Sequence, residues 1–113
     1  MDIPEIDFSQ AQGLFEAGTA TFVDIRDPDS FQEGHVPGAI RLDDSNIQQF
    51  VADTDKQATV VVYCYHGNSS AGATAFFRDQ GFTEVSSLMG GFVAWEDAGG
   101  ASEKGAADPP HAP

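Results

Sequence analysis

The run Thr59-Val60-Val61-Val62-Tyr63 is the strongest constraint on how this 113-residue chain folds. It is β-branched and apolar at both odd and even positions, so both faces of the strand must be covered. Such a strand belongs inside a parallel sheet with helices on either side. A second strand-like run is Thr21-Phe22-Val23-Asp24-Ile25, and shorter candidates are Glu84 to Leu88 and Ile40-Arg41-Leu42. Helical patterns fall between them. Ser9 is placed to cap a first helix, with Gln12 completing a capping box. Ala11, Leu14 and Phe15 share one face of that helix, which Gly18 ends. Ile47, Phe50 and Val51 repeat the spacing after the cap candidates Asp44 and Ser45. Ala73, Phe76 and Phe77 repeat it before Gly81, and Phe92 and Trp95 mark a last short helix. The alternation predicts an α/β fold in which function collects beyond the carboxyl ends of the strands.

Composition sets the limits of this unit. Hydrophobic residues make up 41% of the chain, enough for one core, and the length suits one domain. The stretch from Gly99 to Pro113 has no large apolar residue, so the reading is a domain over residues 1–98 and a flexible tail over 99–113. No apolar run approaches the ~20 residues of a membrane-spanning helix. Met1-Asp2-Ile3-Pro4-Glu5 lacks the basic start and apolar stretch of a signal peptide, which points to the cytoplasm. One cysteine excludes an intramolecular disulfide framework, and one cysteine with three scattered histidines is a poor zinc set. The net charge of −13 opposes binding to nucleic acid and to anionic membranes.

The one thiol lies where the fold rule places function. Thr59–Tyr63 runs directly into Cys64-Tyr65-His66-Gly67-Asn68-Ser69-Ser70, and a helix is expected from about Ser70. The first turn of a helix has N–H groups without carbonyl partners and about +0.5 of macrodipole charge. Consecutive amides in a tight glycine-containing turn add an anion-binding nest. Gly67 suits a positive φ, and Asn68 tolerates one. Ser69 and Ser70 supply hydroxyl donors. Ala71 and Gly72 let the helix start pack closely. Together these features favour a thiolate and lower the pKa of Cys64 from its reference of ~8.5. The plainer alternative is a small buried hydrophobe at a strand end. His66 is a candidate general base, or a loop residue whose ring does no chemistry.

Three blocks of the chain resemble the single-domain rhodaneses, and most closely the GlpE-type thiosulfate sulfurtransferases. The first is Val23-Asp24-Ile25-Arg26-Asp27, followed by Phe31 and Gly34-His35-Val36-Pro37-Gly38-Ala39. The second is the loop Cys64 to Ser70, and the third is Gly90-Gly91-Phe92-Val93-Ala94-Trp95. The resemblance implies a rhodanese-like α/β domain with a roughly five-stranded, mostly parallel sheet and helices on both faces. It implies ping-pong transfer of sulfane sulfur through a persulfide on Cys64, with Tyr65, His66, Gly67, Asn68, Ser69 and Ser70 binding the substrate. It implies thiosulfate as donor and cyanide, small thiols or a dithiol such as thioredoxin as acceptor, with no metal and no organic cofactor. The loop departs from the family at one point. From Tyr65 to Gln80 the only formal cation is Arg78, and Ala71 stands where the resemblance implies a lysine. Weak capture of thiosulfate is therefore expected.

Two rivals have distinct signatures. A cysteine phosphatase needs an arginine closing its loop to hold phosphate in two bonds, and Ser70 stands six positions after Cys64. A relay or binding module would dock a sulfur-carrying partner without efficient thiosulfate turnover. Arg26 and Asp27 follow a strand end, where the alternatives are facing the site or, the favoured reading, an ion-pair or loop-bracing role. Asp24 is read as a cap on neighbouring backbone, His35 as a turn residue, and Phe92 and Trp95 as core, with lining of the site mouth the alternative for Trp95.

Overall fold

The computed structural model describes residues 3–105. In chain order the elements are β1 (Glu5–Ile6), α1 (Phe8–Ala17), β2 (Ala20–Asp24), α2 (Pro28–Glu33), β3 (Ile40–Arg41), α3 (Ile47–Asp53), β4 (Thr59–Tyr63), α4 (Asn68–Asp79), β5 (Val85–Leu88) and α5 (Gly91–Asp97). The five strands form one sheet in the order β1-β5-β4-β2-β3, and the pairs are parallel. β4 therefore sits in the middle, as its two apolar faces require.

The alternation of side chains along β4 and β2 divides the core in two. Phe22, Val61 and Tyr63 face one side, where they pack with Ala11 of α1, Phe31 of α2 and Phe92 and Trp95 of α5. Val23, Val60 and Val62 face the other, with Val51 and Phe50 of α3 and Phe77 and Phe76 of α4. Helices thus cover both faces. Trp95 is fully buried and takes edge contacts from Phe8, Phe15 and Phe22 at 5.3–5.7 Å between ring centres, close to the preferred geometry of aromatic pairs.

Two local expectations are corrected. The cap of α1 is Asp7, not Ser9. Its carboxylate accepts from Gln10 N at 2.9 Å, and the Gln10 side chain accepts from Asp7 N at 3.1 Å. Starting two residues earlier brings Phe8 into the helix and onto Trp95. At α3 the capping position is Asn46, which makes no side-chain cap bond there. Its side chain instead donates to Arg41 O at 3.0 Å, while Asp43 accepts from the backbone and hydroxyl of Ser45. The two elements without a sequence expectation are β1, which is only two residues long, and α2, which starts at Asp27-Pro28.

Residues 99–105, the start of the expected tail, make specific contacts with the rest of the chain. Trp95 Nε1 donates to Ala101 O at 2.7 Å. His35 and Glu103 exchange backbone hydrogen bonds of 2.9 Å in both directions, and Gly105 N donates to Gln32 O at 3.1 Å. The Glu103 carboxylate also lies 3.1 Å from His35 Nε2 and accepts from Gly38 N at 3.2 Å. The segment is held by main-chain pairing, the Trp95 indole N–H and one carboxylate, none of which depends on the apolar burial it lacks. The remaining tail residues, 106–113, lie outside the described residues.

Candidate active site

Cys64 follows β4 directly and sits at the carboxyl edge of the sheet. Gly67, at φ 96°, turns the chain so that α4 begins at Asn68. A side chain at position 67 would meet Gly90 N at 3.2 Å, so both the backbone angle and the space call for glycine. The turn brings two main-chain donors onto the sulfur. Gly67 N donates to Cys64 Sγ at 3.1 Å and Ser70 N at 3.3 Å. The Ser70 hydroxyl oxygen is 3.5 Å from the same sulfur.

The outer side of the loop is held by α5. Phe92 N donates to Cys64 O at 2.7 Å and Val93 N to Tyr65 O at 3.1 Å. The orphan amides of the α5 first turn are thus satisfied by the carbonyls of the cysteine loop. This leaves the inner side of the loop to present N–H groups. Gly91, at φ 64°, makes the close approach possible, because a Cβ there would overlap the carbonyls of Tyr65 and Cys64.

Burial alone pushes the Cys64 thiol up, but the Ser70 hydroxyl and the amides of Ser70, Gly67 and Ser69 outweigh it and hold the pKa below the ordinary thiol value. Cys64 is 7% exposed and lines a cavity of about 220 Å³. Ile25, Arg26, Asp27, Tyr65, His66 and Ser69 form the rest of its lining.

Arg26 is the cation nearest this chemistry, and it is committed elsewhere. Its Nε lies 3.2 and 3.0 Å from the two Asp24 carboxylate oxygens, its Nη2 lies 2.6 Å from Asp24, and Nη2 also donates to Gly34 O at 2.7 Å. The guanidinium stacks 4.3 Å from the centre of the Phe92 ring and 5.2 Å from that of Tyr65. Asp24 also accepts from Arg26 N at 2.8 Å. Both are buried; the ion partner of Arg26 is Asp24 rather than Asp27, and Asp24 also caps the Arg26 backbone. Asp27 caps α2 through Ser30 and is one of the residues lining the cavity. The Ser30 hydroxyl donates to it and holds its pKa below the usual carboxylate range.

The seven residues singled out in the sequence therefore divide by position. Gly67 and Ser70 touch the sulfur. Tyr65, His66 and Ser69 line the space in front of it, with Tyr65 43% exposed. Asn68 opens α4. Two contributors lie outside the loop. Gly91 carries a signal in the Gly90-Gly91 pair. Ser87 carries none, because it reaches Ser70 across the sheet–helix interface.

A family model described as Rhodanese-like domain matches residues 7–98. The chain belongs to this family. It is 40% identical over 98 residues to the thiosulfate sulfurtransferase GlpE of Pseudoalteromonas translucida (strain TAC 125), covering 87% of this chain and 93% of the relative. It is 51% identical over 86 residues to the thiosulfate sulfurtransferase GlpE of Pseudomonas aeruginosa (strain LESB58), covering 76% and 77%. Among solved structures, the rhodanese-like domain of the Alr3790 protein from Anabaena sp. superposes with a TM-score of 0.80 at 27% identity, covering 100% of this chain and 87% of that one. The family match takes in the Cys64 loop, the Arg26–Asp24 pair and all of α5. No helix of the described residues is long and apolar enough to cross a membrane, and no group of three His, Cys, Asp or Glu among them could hold a metal ion.

Proposed function

We propose that this chain is a cytoplasmic sulfurtransferase that moves the sulfane sulfur of thiosulfate to a thiophilic acceptor through a persulfide on Cys64. The observation that carries this reading is a cysteine that lines a cavity and whose sulfur accepts hydrogen bonds from Gly67 N and Ser70 N. The curated relatives named thiosulfate sulfurtransferase support the substrate class.

In the first half-reaction the Cys64 thiolate attacks the outer sulfur of thiosulfate. A Cys64 S–S bond forms, the sulfur–sulfur bond of thiosulfate breaks, and sulfite leaves with the electron pair. The charge passes to the outer sulfur of the persulfide, which extends into the cavity. Preorganised amides stabilise anionic sulfur without reorganising during the reaction, and one such donor is worth about 2.7–4 kcal/mol where charge develops. In the second half-reaction cyanide, a small thiolate or a dithiol protein such as thioredoxin attacks that outer sulfur, and Cys64 leaves again as a thiolate. Dividing the transfer in two lets one nucleophile serve donors and acceptors of different shape. This chemistry calls for no metal or organic cofactor.

A second reading is favoured by the cavity wall. Asp27 lines it, and Arg26 is bound to Asp24. A dianion therefore meets loop dipoles but no uncommitted cation in that lining. On this reading thiosulfate saturates the protein poorly, and a persulfidated partner is the better donor. Intact mass after incubation with thiosulfate tests both. The first reading predicts a gain of one sulfur atom that Cys64→Ser abolishes. No gain from thiosulfate, with a gain from a persulfidated protein donor, supports the relay, and no gain from either overturns the sulfur-transfer role.

A further inference from the structure

Beneath the cysteine loop is a buried pair of hydroxyls that the transfer chemistry leaves unexplained. Ser87 lies on β5, beside β4 in the sheet, and Ser70 lies in the first turn of α4; both are fully buried. Their Oγ atoms are 2.7 Å apart. Ser70 Oγ also donates to Gly67 O at 3.2 Å and lies 3.5 Å from Cys64 Sγ. One hydroxyl thus has three polar neighbours but only one proton to give.

The arrangement of protons follows from what each neighbour can do. Among the described residues, Ser70 is the only hydrogen-bonding partner of the Ser87 hydroxyl, so the Ser87 proton goes to Ser70 Oγ. With that lone pair occupied, the Ser70 proton has two remaining targets, Gly67 O and the sulfur. A thiol sulfur is a weak acceptor, and the proton stays on Gly67 O. A thiolate is a strong one, and the proton turns to it. Once the persulfide forms, the charge sits on the outer sulfur and the proton returns to Gly67 O. A buried hydroxyl pair left half-satisfied is costly, so this use accounts for two serines where a packed core would otherwise place apolar side chains.

We propose that Ser87 is a positioning residue that directs the Ser70 hydroxyl onto the Cys64 sulfur whenever that sulfur is anionic. It acts through Ser70 and does not touch the sulfur or the substrate. The inference rests on the thiolate role proposed for Cys64, and it assigns to β5 a part in generating the nucleophile that the loop alone does not supply. Donation from Ser87 polarises the Ser70 O–H and strengthens its bond to sulfur, an effect on the order of 10–30% per bond.

The test is the rate of Cys64 alkylation by iodoacetamide against pH, in the full chain and without thiosulfate. This reads the thiolate directly, so it is independent of whether thiosulfate is the donor. Ser87→Ala is expected to move the midpoint to higher pH and to slow alkylation roughly threefold on the acidic side. Ser70→Ala is expected to move it further. In the Ser70→Ala background, Ser87→Ala is expected to add nothing, because its route to the sulfur is gone. Ser87→Thr keeps the hydroxyl and is expected to restore the wild-type profile. An unchanged profile in Ser87→Ala overturns the proposal. So does an equal shift with and without Ser70, which marks a general loosening of β5. If Ser87→Ala fails to fold, the Ser70→Ala profile decides: a midpoint identical to wild type removes the hydroxyl route altogether.

Discussion

Replacing Gly91 by alanine tests how the active-site loop is held. Gly91 opens α5 at φ 64°, and an added Cβ meets the main-chain carbonyls of Tyr65 and Cys64 well inside van der Waals contact. These are backbone atoms, so no side chain can swing aside. The left-handed conformation costs an alanine about 1–2 kcal/mol. Forcing an extra carbon into packed surroundings costs a further 1–3 kcal/mol, roughly. The expected loss is therefore about 2–5 kcal/mol in urea unfolding, within the ~5–15 kcal/mol of an ordinary domain, so the variant still folds. Relief of the overlap requires α5 and the loop to separate, which weakens the bonds from Phe92 N to Cys64 O and from Val93 N to Tyr65 O. A displacement of about 1 Å at a reacting group costs on the order of 10²-fold in rate, and that loss is expected in transfer from thiosulfate to cyanide. Gly72 is the control. It lies inside α4 with nothing within 4 Å of an added Cβ, so Gly72→Ala is expected to stabilise by roughly 0.5–1 kcal/mol. Wild-type stability and turnover in Gly91→Ala would refute this account of the loop.

Two further substitutions separate frame from chemistry. Arg26→Ala leaves the buried Asp24 carboxylate without its partner and strips the cation from the Phe92 face, and about 3–5 kcal/mol of stability is expected to be lost in denaturant unfolding. His66→Ala removes a cavity-lining ring that makes no hydrogen bond to the sulfur among the described contacts, so most of the sulfur-transfer rate is expected to remain in a thiosulfate–cyanide assay.

The fold was legible where burial is written locally. Thr59–Tyr63 is apolar on both parities because helices cover both faces, and β4 occupies the residues the pattern marks. The cysteine loop was legible because a strand, a glycine and a helix start adjoin in sequence. What escaped is non-local or brief. β1 has two residues, too few for any alternation, and is held by β5. The contacts of residues 99–105 with His35 and Gln32 span more than sixty positions, and composition alone carries no trace of them. The first cap fell two residues late because Ser9-x-x-Gln12 and Asp7-x-x-Gln10 offer the same pattern. Packing of Phe8 on Trp95 decides between them. The contact of Ser70 with Ser87 joins a helix to a strand across 17 positions and becomes visible only once α4 and β5 are placed.

The most direct test of the central claim is the midpoint of Cys64 alkylation by iodoacetamide as pH is raised on the wild-type chain. Against the opposing effect of burial, the Ser70 hydroxyl and the Ser70 and Gly67 amides hold the thiol below its ordinary value, so the thiolate persists to lower pH and is lost as pH falls through the lowered midpoint. A midpoint clearly below the ~8.5 of a free cysteine is predicted. A midpoint at or above that value means burial outweighs the loop amides, and contradicts the account.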